Sequence, residues 1–286
     1  MSRIAYVNGR YLRQHEAAVN VEDRGYQFSD GVYEVIAAER GRLIDLDRHF
    51  DRLDRSLREL RIAPPCDRAA LGVVLREVLR RNRIADGIVY LQITRGVARR
   101  NHAFPASSRT ALVVTAARKR PPSVAAVERG VRVITVPDIR WKRPDIKTVS
   151  LLPNVLAKQQ AVEAGAEEAW FVDGEGRVTE GSSTNAWIVV GPAEVVTRPL
   201  GTDILAGVTR QTVLDAARDS NIRVVERSFT VEEAKRANEA FLTSTTSYVM
   251  PVVAIDGTPV GDGRPGPVTR LLLDAYRRRV EGRAER

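Results

Sequence analysis

Leu46, Phe50, Leu53, Leu57 and Leu60 recur at spacings of four and three residues, which lays one apolar stripe along an amphipathic helix. A second helix is predicted from about Asp67 to Asn82, with Leu71, Val74, Leu75, Val78 and Leu79 inward. Between Gly87 and Thr94 the period changes to two. Val89, Leu91 and Ile93 face one way and Tyr90, Gln92 and Thr94 the other, as in a strand. Thr110–Thr115 reads as another strand. It leads into Arg118-Lys119-Arg120-Pro121-Pro122-Ser123, a charged, proline-rich run that suits a linker at 119–123. Beyond it the pattern predicts a strand over Val131–Val136, a helix from about Asn154 to Ala164 and a hairpin turning at Gly174-Glu175-Gly176. A helix over about Val208–Ser220, a strand at Glu239–Thr243 and a last helix from about Pro267 follow. The expected fold class is mixed α/β (α+β) in two domains, a smaller one at 1–118 and a larger one at 124–286, without the strict alternation of a doubly wound sheet.

Composition narrows the class. With 286 residues, 43% apolar and 28% charged, the chain has the balance of a globular protein. No stretch approaches the ~20 apolar residues of a membrane helix, and Met1–Tyr6 lacks the apolar core of a secretion signal. Cys66 is the only cysteine, so no intramolecular disulfide or thiolate metal cage is expected. The expectations are a cytoplasmic protein with no metal site and no membrane partner. The net charge of +9 raises a nucleic-acid-binding alternative. Its bases are interleaved with acids, as in Asp47-Arg48-His49-Phe50-Asp51-Arg52-Leu53-Asp54-Arg55, which is how a solvated helix face looks. No zinc-finger spacing, aromatic RNA-binding motif or long basic arm accompanies the charge, so no nucleic-acid partner is expected.

Chemistry is sought among polar residues in apolar settings. No phosphate loop, dinucleotide fingerprint, HExxH or GxSxG is present. Only five lysines occur: Lys119, Lys142, Lys147, Lys158 and Lys235. Lys147 lies in Asp145-Ile146-Lys147-Thr148-Val149-Ser150-Leu151-Leu152, a run of strand or buried-turn character. Two readings are open: a side chain snorkelling to the surface, or a buried amine of the kind a Schiff-base lysine requires. Glu180 in Thr179-Glu180-Gly181-Ser182-Ser183 interrupts a strand-like context, either as an edge-facing acid at a bulge or as a functional carboxylate. Gly207-Val208-Thr209 opens the 208–220 helix with backbone N–H groups that favour an anion. The hydroxyl cluster Thr243-Ser244-Thr245-Thr246-Ser247 follows a strand, as a turn or as a further anion contact.

Taken together, these segments resemble the class IV, or fold type IV, pyridoxal-phosphate aminotransferases, and most of all the D-amino-acid (D-alanine) aminotransferases. The resemblance runs through Glu22-Asp23-Arg24-Gly25-Tyr26-Gln27-Phe28-Ser29-Asp30-Gly31-Val32-Tyr33-Glu34-Val35, Asp51-Arg52-Leu53, Thr94-Arg95-Gly96 and Asp138-Ile139-Arg140-Trp141. It continues through Asp145-Ile146-Lys147, Asn154-Val155-Leu156-Ala157-Lys158-Gln159, Val178-Thr179-Glu180-Gly181-Ser182-Ser183, Gly207-Val208-Thr209-Arg210 and Thr243–Ser247. It implies that Lys147, in the larger domain, forms the Schiff base with pyridoxal 5'-phosphate and then moves the substrate proton. Glu180 would face the pyridine nitrogen. Arg52, Val208, Thr209, Ser244 and Thr245 would hold the phosphate, and Ser183 and Leu205 would lie by the ring.

Substrate preference hangs on Arg95-Gly96-Val97-Ala98-Arg99-Arg100-Asn101-His102. By resemblance Arg100 and His102 bind the substrate α-carboxylate together with Tyr33, although Arg99 competes with Arg100 for the role. In the family this segment reaches into the neighbouring subunit, so a homodimer is expected. The implied activity is amino transfer between a D-amino acid such as D-alanine and a 2-oxo acid such as 2-oxoglutarate. The alternatives within the fold are a branched-chain L-amino-acid aminotransferase and a 4-amino-4-deoxychorismate lyase. His49 is expected as a half-buried packing residue, His15 and Lys158 as solvent-facing, and Cys66 has no assigned role.

Overall fold

The alternation at Gly87–Thr94 becomes a central strand of a six-stranded sheet in the computed structural model, which describes residues 3–284. Two compact units are present: residues 1–120 with 146–150, and residues 121–145 with 151–286. In the first, β1 (Ile4–Val7) and β2 (Arg10–Arg13) form a hairpin, followed by the short α1 (Arg24–Phe28), β3 (Gly31–Glu39) and β4 (Arg42–Leu43). Two helices, α2 (Leu46–Leu60) and α3 (Arg68–Asn82), precede β5 (Gly87–Thr94) and β6 (Ala111–Arg118). The sheet order is β2-β1-β6-β5-β3-β4, antiparallel throughout.

The predicted stripe does what its period requires. Phe50, Leu53 and Leu57 of α2 and Leu71, Leu75, Val78 and Leu79 of α3 are buried against Val32, Ile36, Val89, Leu91, Ile93, Leu112 and Val114 of the sheet. Asp67 starts α3 by accepting from the Ala70 N–H at 2.7 Å. Asp23 does the same for α1 through Gly25 N–H at 2.8 Å.

One expectation is corrected here. Lys147 was expected within the larger domain at 124–286, whereas Ile146–Ser150 belongs to the first unit. The cause is the edge of β3. Strand β4 pairs only with Ala38 and Glu39, which leaves the Gly31–Tyr33 edge without a neighbouring strand. The 146–150 segment satisfies that backbone: Tyr33 N–H donates to Lys147 O at 3.0 Å, Val149 N–H to Gly31 O at 3.1 Å, and Val32 bridges Thr148.

The second unit begins with α4 (Val124–Arg129), β7 (Val131–Pro137), α5 (Leu152–Glu163), β8 (Glu168–Val172) and β9 (Val178–Gly181). It continues with β10 (Asn185–Val190), β11 (Glu194–Thr197), α6 (Val208–Asp219), β12 (Arg223–Glu226) and α7 (Val231–Lys235). The last elements are β13 (Glu239–Ser244), β14 (Tyr248–Ile255), β15 (Thr258–Pro259) and α8 (Pro267–Ala284). A nine-stranded mixed sheet runs β12-β11-β10-β13-β14-β7-β8-β9, with β15 on β14. Trp187 stacks on Phe241 at 5.3 Å between centroids, and Trp170 and Phe171 are fully buried on β8. No described helix is long and apolar enough to cross a membrane.

Candidate active site

Of the five lysines, Lys119, Lys142 and Lys158 are exposed, and Lys235 pairs with Asp256 at 3.1 Å. Lys147 is half-buried in the 146–150 segment beside β3, with its Nζ 4.2 Å from the Tyr33 ring centroid. Among the described residues no carboxylate is within ion-pairing reach of that amine. Its backbone is pinned on both sides, by Tyr33 N–H on its carbonyl and by its own N–H on Ser56 Oγ at 3.3 Å. Tyr33 stacks on Tyr90 at 5.6 Å. Burial, with Tyr33 alongside, pushes the Tyr90 phenol up to about 12, and it donates to Gln92 Oε1 at 2.7 Å.

Arg52 is buried on the inward face of α2 and forms a fork with Glu34 of β3, Nε to Oε1 at 2.8 Å and Nη2 to Oε2 at 2.7 Å. His49, one turn earlier on α2, places Nδ1 2.7 Å from Glu34 Oε2. Burial works against a charge on Glu34, but the Arg52 guanidinium and the His49 hydrogen bond outweigh it and hold the carboxyl down to about 2. His49 is lowered too, but here burial is the cause: aided by Arg52 and Lys147, it lowers the imidazole from its ordinary value despite Glu34. His49 is therefore fully buried and hydrogen-bonded, not the half-buried packing residue expected from its place beside the stripe. Glu34 went unnoticed in the sequence. Its signal was an acid at an inward position between Val32 and Ile36.

In the second unit, Glu180 lies on the edge strand β9, where Thr179 and Glu180 together oppose Phe171 of β8 across a register shift, and its side chain is buried. It accepts from Arg140 Nη1, from Asn185 Nδ2 at 3.1 Å and from Leu205 N–H at 3.0 Å. Arg140 is fixed in turn by Asp138, Nε to Oδ1 at 2.9 Å and Nη2 to Oδ2 at 2.7 Å, with its Cζ 4.5 Å from the Phe171 ring. Burial opposes the charge on Asp138, yet the Arg140 pair holds that carboxyl below its usual range. The sequence motifs give Arg140 and Asn185 no role, yet both hold the Glu180 carboxylate.

Helix α6 starts at Val208 after Gly207, which makes no side-chain cap hydrogen bond. A Cβ at Gly207 would lie 2.0 Å from Asn185 Oδ1, so the backbone comes close there because a side chain cannot. Val208 and Thr209 are buried in the first turn. Asn185 is in register with Thr243, directly before Ser244, and Ser244 Oγ accepts from Ser247 N–H at 3.1 Å in the turn that holds Thr245. Glu180, Leu205, Asn185 and the start of α6 are thus one connected group. Ser183 differs: it is exposed and its Oγ bonds Glu168 Oε2 at 3.1 Å.

Arg100 and His102 occupy an exposed loop of the first unit and share one ring. Arg100 Cζ is 4.6 Å from the Phe28 centroid, and the His102 ring is 5.4 Å from it. Arg99 is exposed, with no described contact to that ring.

Residues 31–255 match the family described as amino-transferase class IV. The chain belongs to the class IV aminotransferases. This aminotransferase is 42% identical over 279 residues to a D-alanine aminotransferase of Staphylococcus haemolyticus, covering 98% of each chain. It is 41% identical to a D-alanine aminotransferase of Bacillus licheniformis, over 96% of this chain and 95% of that one. Among solved structures it is similar to the branched-chain aminotransferase of Thermoproteus uzoniensis with norvaline, with a TM-score of 0.86 at 29% identity over 100% and 97% of the two chains. A branched-chain amino acid aminotransferase solved with pyridoxamine 5'-phosphate superposes with a TM-score of 0.90, also at 29% identity, over 99% and 95% of the two chains.

The class IV aminotransferases depend on pyridoxal phosphate, and each unit's residues fit that group. The first offers an amine with no ion-pair partner among the described residues and a guanidinium oriented by Glu34. The second offers a carboxylate supplied with three N–H donors, and a helix N-terminus whose Gly207 leaves no room for a Cβ.

Proposed function

We propose that this class IV aminotransferase exchanges an amino group between a D-amino acid of the D-alanine type and a 2-oxo acid such as 2-oxoglutarate. The observation that carries the proposal is the likeness of 42% to a D-alanine aminotransferase over nearly the whole of both chains. A branched-chain L-amino-acid aminotransferase is the second reading, favoured by the fold neighbours at 29% identity.

When bound, pyridoxal phosphate supplies an aldehyde carbon for the amino group and an aromatic ring that draws electrons from the substrate Cα. Lys147 holds the cofactor and moves the proton at Cα, its amine kept against the Tyr33 ring and its backbone pinned at β3. Glu180 keeps a proton on the ring nitrogen, and Arg140, Asn185 and Leu205 N–H keep its carboxylate in one orientation. Arg52, set in its plane by Glu34, takes the phosphate, as do the first N–H groups of α6 with Ser244 and Thr245. By the family likeness Leu205 and Ser183 would lie by the ring. Tyr33, Arg100 and His102 hold the substrate α-carboxylate, and the grouping of Arg100 with His102 on Phe28 supports Arg100 over Arg99.

The active species is a homodimer. Leu152, Val155, Leu156 and Val162 are exposed along α5, an apolar surface that suits coverage by a second copy. A half-buried, unpaired Cys66 goes with a reducing cytoplasm.

The chirality of the product tests the proposal. With D-alanine as donor and 2-oxoglutarate as acceptor, the glutamate formed should be the D-enantiomer, and L-glutamate would turn the assignment to the second reading. Borohydride reduction of the holoenzyme should fix the cofactor on Lys147 and leave Lys158 and Lys235 unlabelled.

A further inference from the structure

The loop proposed to bind the substrate carboxylate leaves β5 at Gly96 and returns at β6. At its start it is tied to the segment before β3: Arg24 N–H donates to Gly96 O at 2.9 Å, Ala98 N–H to Glu22 O at 3.2 Å, and Asp23 bridges Val97. Further out, the loop meets a buried charge. Arg24 is only 3% exposed, yet it lies on a five-residue helix whose Tyr26 is open to solvent. Burying a guanidinium costs free energy unless its donors are met.

Its donors are met by the loop. Arg24 Nη1 donates to Asn101 O at 2.5 Å and, over a longer reach, to Ala103 O at 3.4 Å; Nη2 reaches His102 O at 3.4 Å. These three consecutive carbonyls enclose His102 and begin directly after Arg100. The remaining edge of Arg24 is fixed by Nε on Asp30 Oδ2 at 2.8 Å. Asp30 is also held by Arg95, Nε to Oδ2 at 2.7 Å and Nη2 to Oδ1 at 3.0 Å, and Arg95 in turn caps α2 through Leu60 O and Arg61 O. The loop carbonyls are therefore referred, through two guanidinium groups and one carboxylate, to the end of a core helix. Phe28, one turn beyond Arg24, completes the arrangement: its ring carries Arg24 Cζ at 4.9 Å, Arg100 Cζ at 4.6 Å and the His102 ring at 5.4 Å.

We propose that Arg24 is a positioning residue for substrate recognition: by holding the carbonyls of Asn101, His102 and Ala103 it fixes Arg100 and His102 for the α-carboxylate. It touches no reacting atom and acts through the loop. The proposal rests on the assignment of Arg100 and His102 given above, and the test separates the two.

Steady-state kinetics of holoenzyme variants with D-alanine and 2-oxoglutarate decide it. Arg24→Met should raise KM for both substrates by about ten- to a hundredfold, with kcat changed less and the cofactor absorbance retained. Arg24→Lys keeps a charge for Asp30 but gathers its donors on one atom, so its KM should fall between. In an Arg100→Ala background, Arg24→Met should add little, because the group it positions is gone. Should Arg24→Met fail to fold, Phe28→Leu, which removes the shared ring, should raise KM in the same way. If Arg100→Ala raises KM while Arg24→Met, Arg24→Lys and Phe28→Leu do not, this inference falls and the carboxylate assignment stands. If Arg24→Met costs as much with Arg100 absent as with it present, Arg24 acts by some other route and the inference falls. If Arg100→Ala leaves KM unchanged, the assignment and the inference fall together.

Discussion

The proposed chemistry rests on a single amine, and the surroundings of Lys147 separate it from the other four lysines. Its Nζ rests on the Tyr33 ring at 4.2 Å, while Lys235 is tied to Asp256 and three others are in solvent. Glu180 is the second residue on which the proposal turns. Glu180→Gln should retain cofactor and lower transamination by about a hundredfold or more, measured as single-turnover rates; wild-type rates would remove Glu180 from the ring nitrogen. Glu34 is the residue least legible beforehand. Its acid lies 15 residues from His49 and 18 from Arg52, and no motif joins the three until β3 and α2 pack. Glu34→Ala breaks the buried Arg52–Glu34 ion pair, so a loss of about 3–5 kcal/mol in stability is expected, with weaker cofactor binding. Denaturant melts and cofactor titration read both, and an unchanged cofactor affinity would detach Arg52 from the phosphate.

Elements were legible where one residue class repeats without interruption. The α2 stripe, α3 and β5 are found where the pattern places them because each buries an unbroken apolar set. Strand β3 was not, since Glu34 occupies an inward position where the period calls for an apolar residue. Strand β14 was hidden by Pro251, which sits in a central strand opposite Phe241, a place that sequence rules deny to proline. The 146–150 segment was assigned by chain continuity to the wrong unit, because nothing local reveals that β4 is too short to cover the edge of β3. The start of α6 falls at Val208, where the pattern predicts it, but its tightness comes only from the structure. A Cβ at Gly207 would meet Asn185 Oδ1 at 2.0 Å, and Asn185 also bonds Glu180. Gly207→Ala should weaken pyridoxal phosphate binding by about tenfold or more by disturbing both. Equilibrium dialysis checks this, and unaltered affinity would mean that the cradle tolerates a side chain.

At the scale of the whole molecule, several of the 45 bases are drawn into specific buried pairings that leave the net excess of +9 untouched. Arg24, Arg52, Arg95, Arg140 and Arg210 are each buried or nearly so and each faces a carboxylate. Such pairing sets the acid limit of the fold. Glu34 is held down to about 2, so its contribution is complete above about 4.5 and is lost as pH falls through 2. His49 acts in the same direction at a milder pH. Its folded-state value lies below 6.5, so the unfolded chain takes the proton first and stability declines as pH drops below 6.5. Melting temperature should fall from near that pH in the wild type, and His49→Gln should move the onset toward the carboxylate range. An onset unmoved by the substitution would show that His49 does not titrate differently in the two states.

The central claim, amino transfer from a D-amino acid, is tested most directly by the isolated half-reaction. The holoenzyme is mixed in turn with D-alanine, L-alanine and L-leucine, without an oxo acid, and the conversion of the cofactor from its aldehyde to its amine form is followed by absorbance. D-alanine should convert the cofactor fully and fastest, with pyruvate released in equal amount, while L-leucine leaves the aldehyde form in place. Conversion by L-leucine with D-alanine inert would contradict the account and make the chain a branched-chain L-amino-acid enzyme.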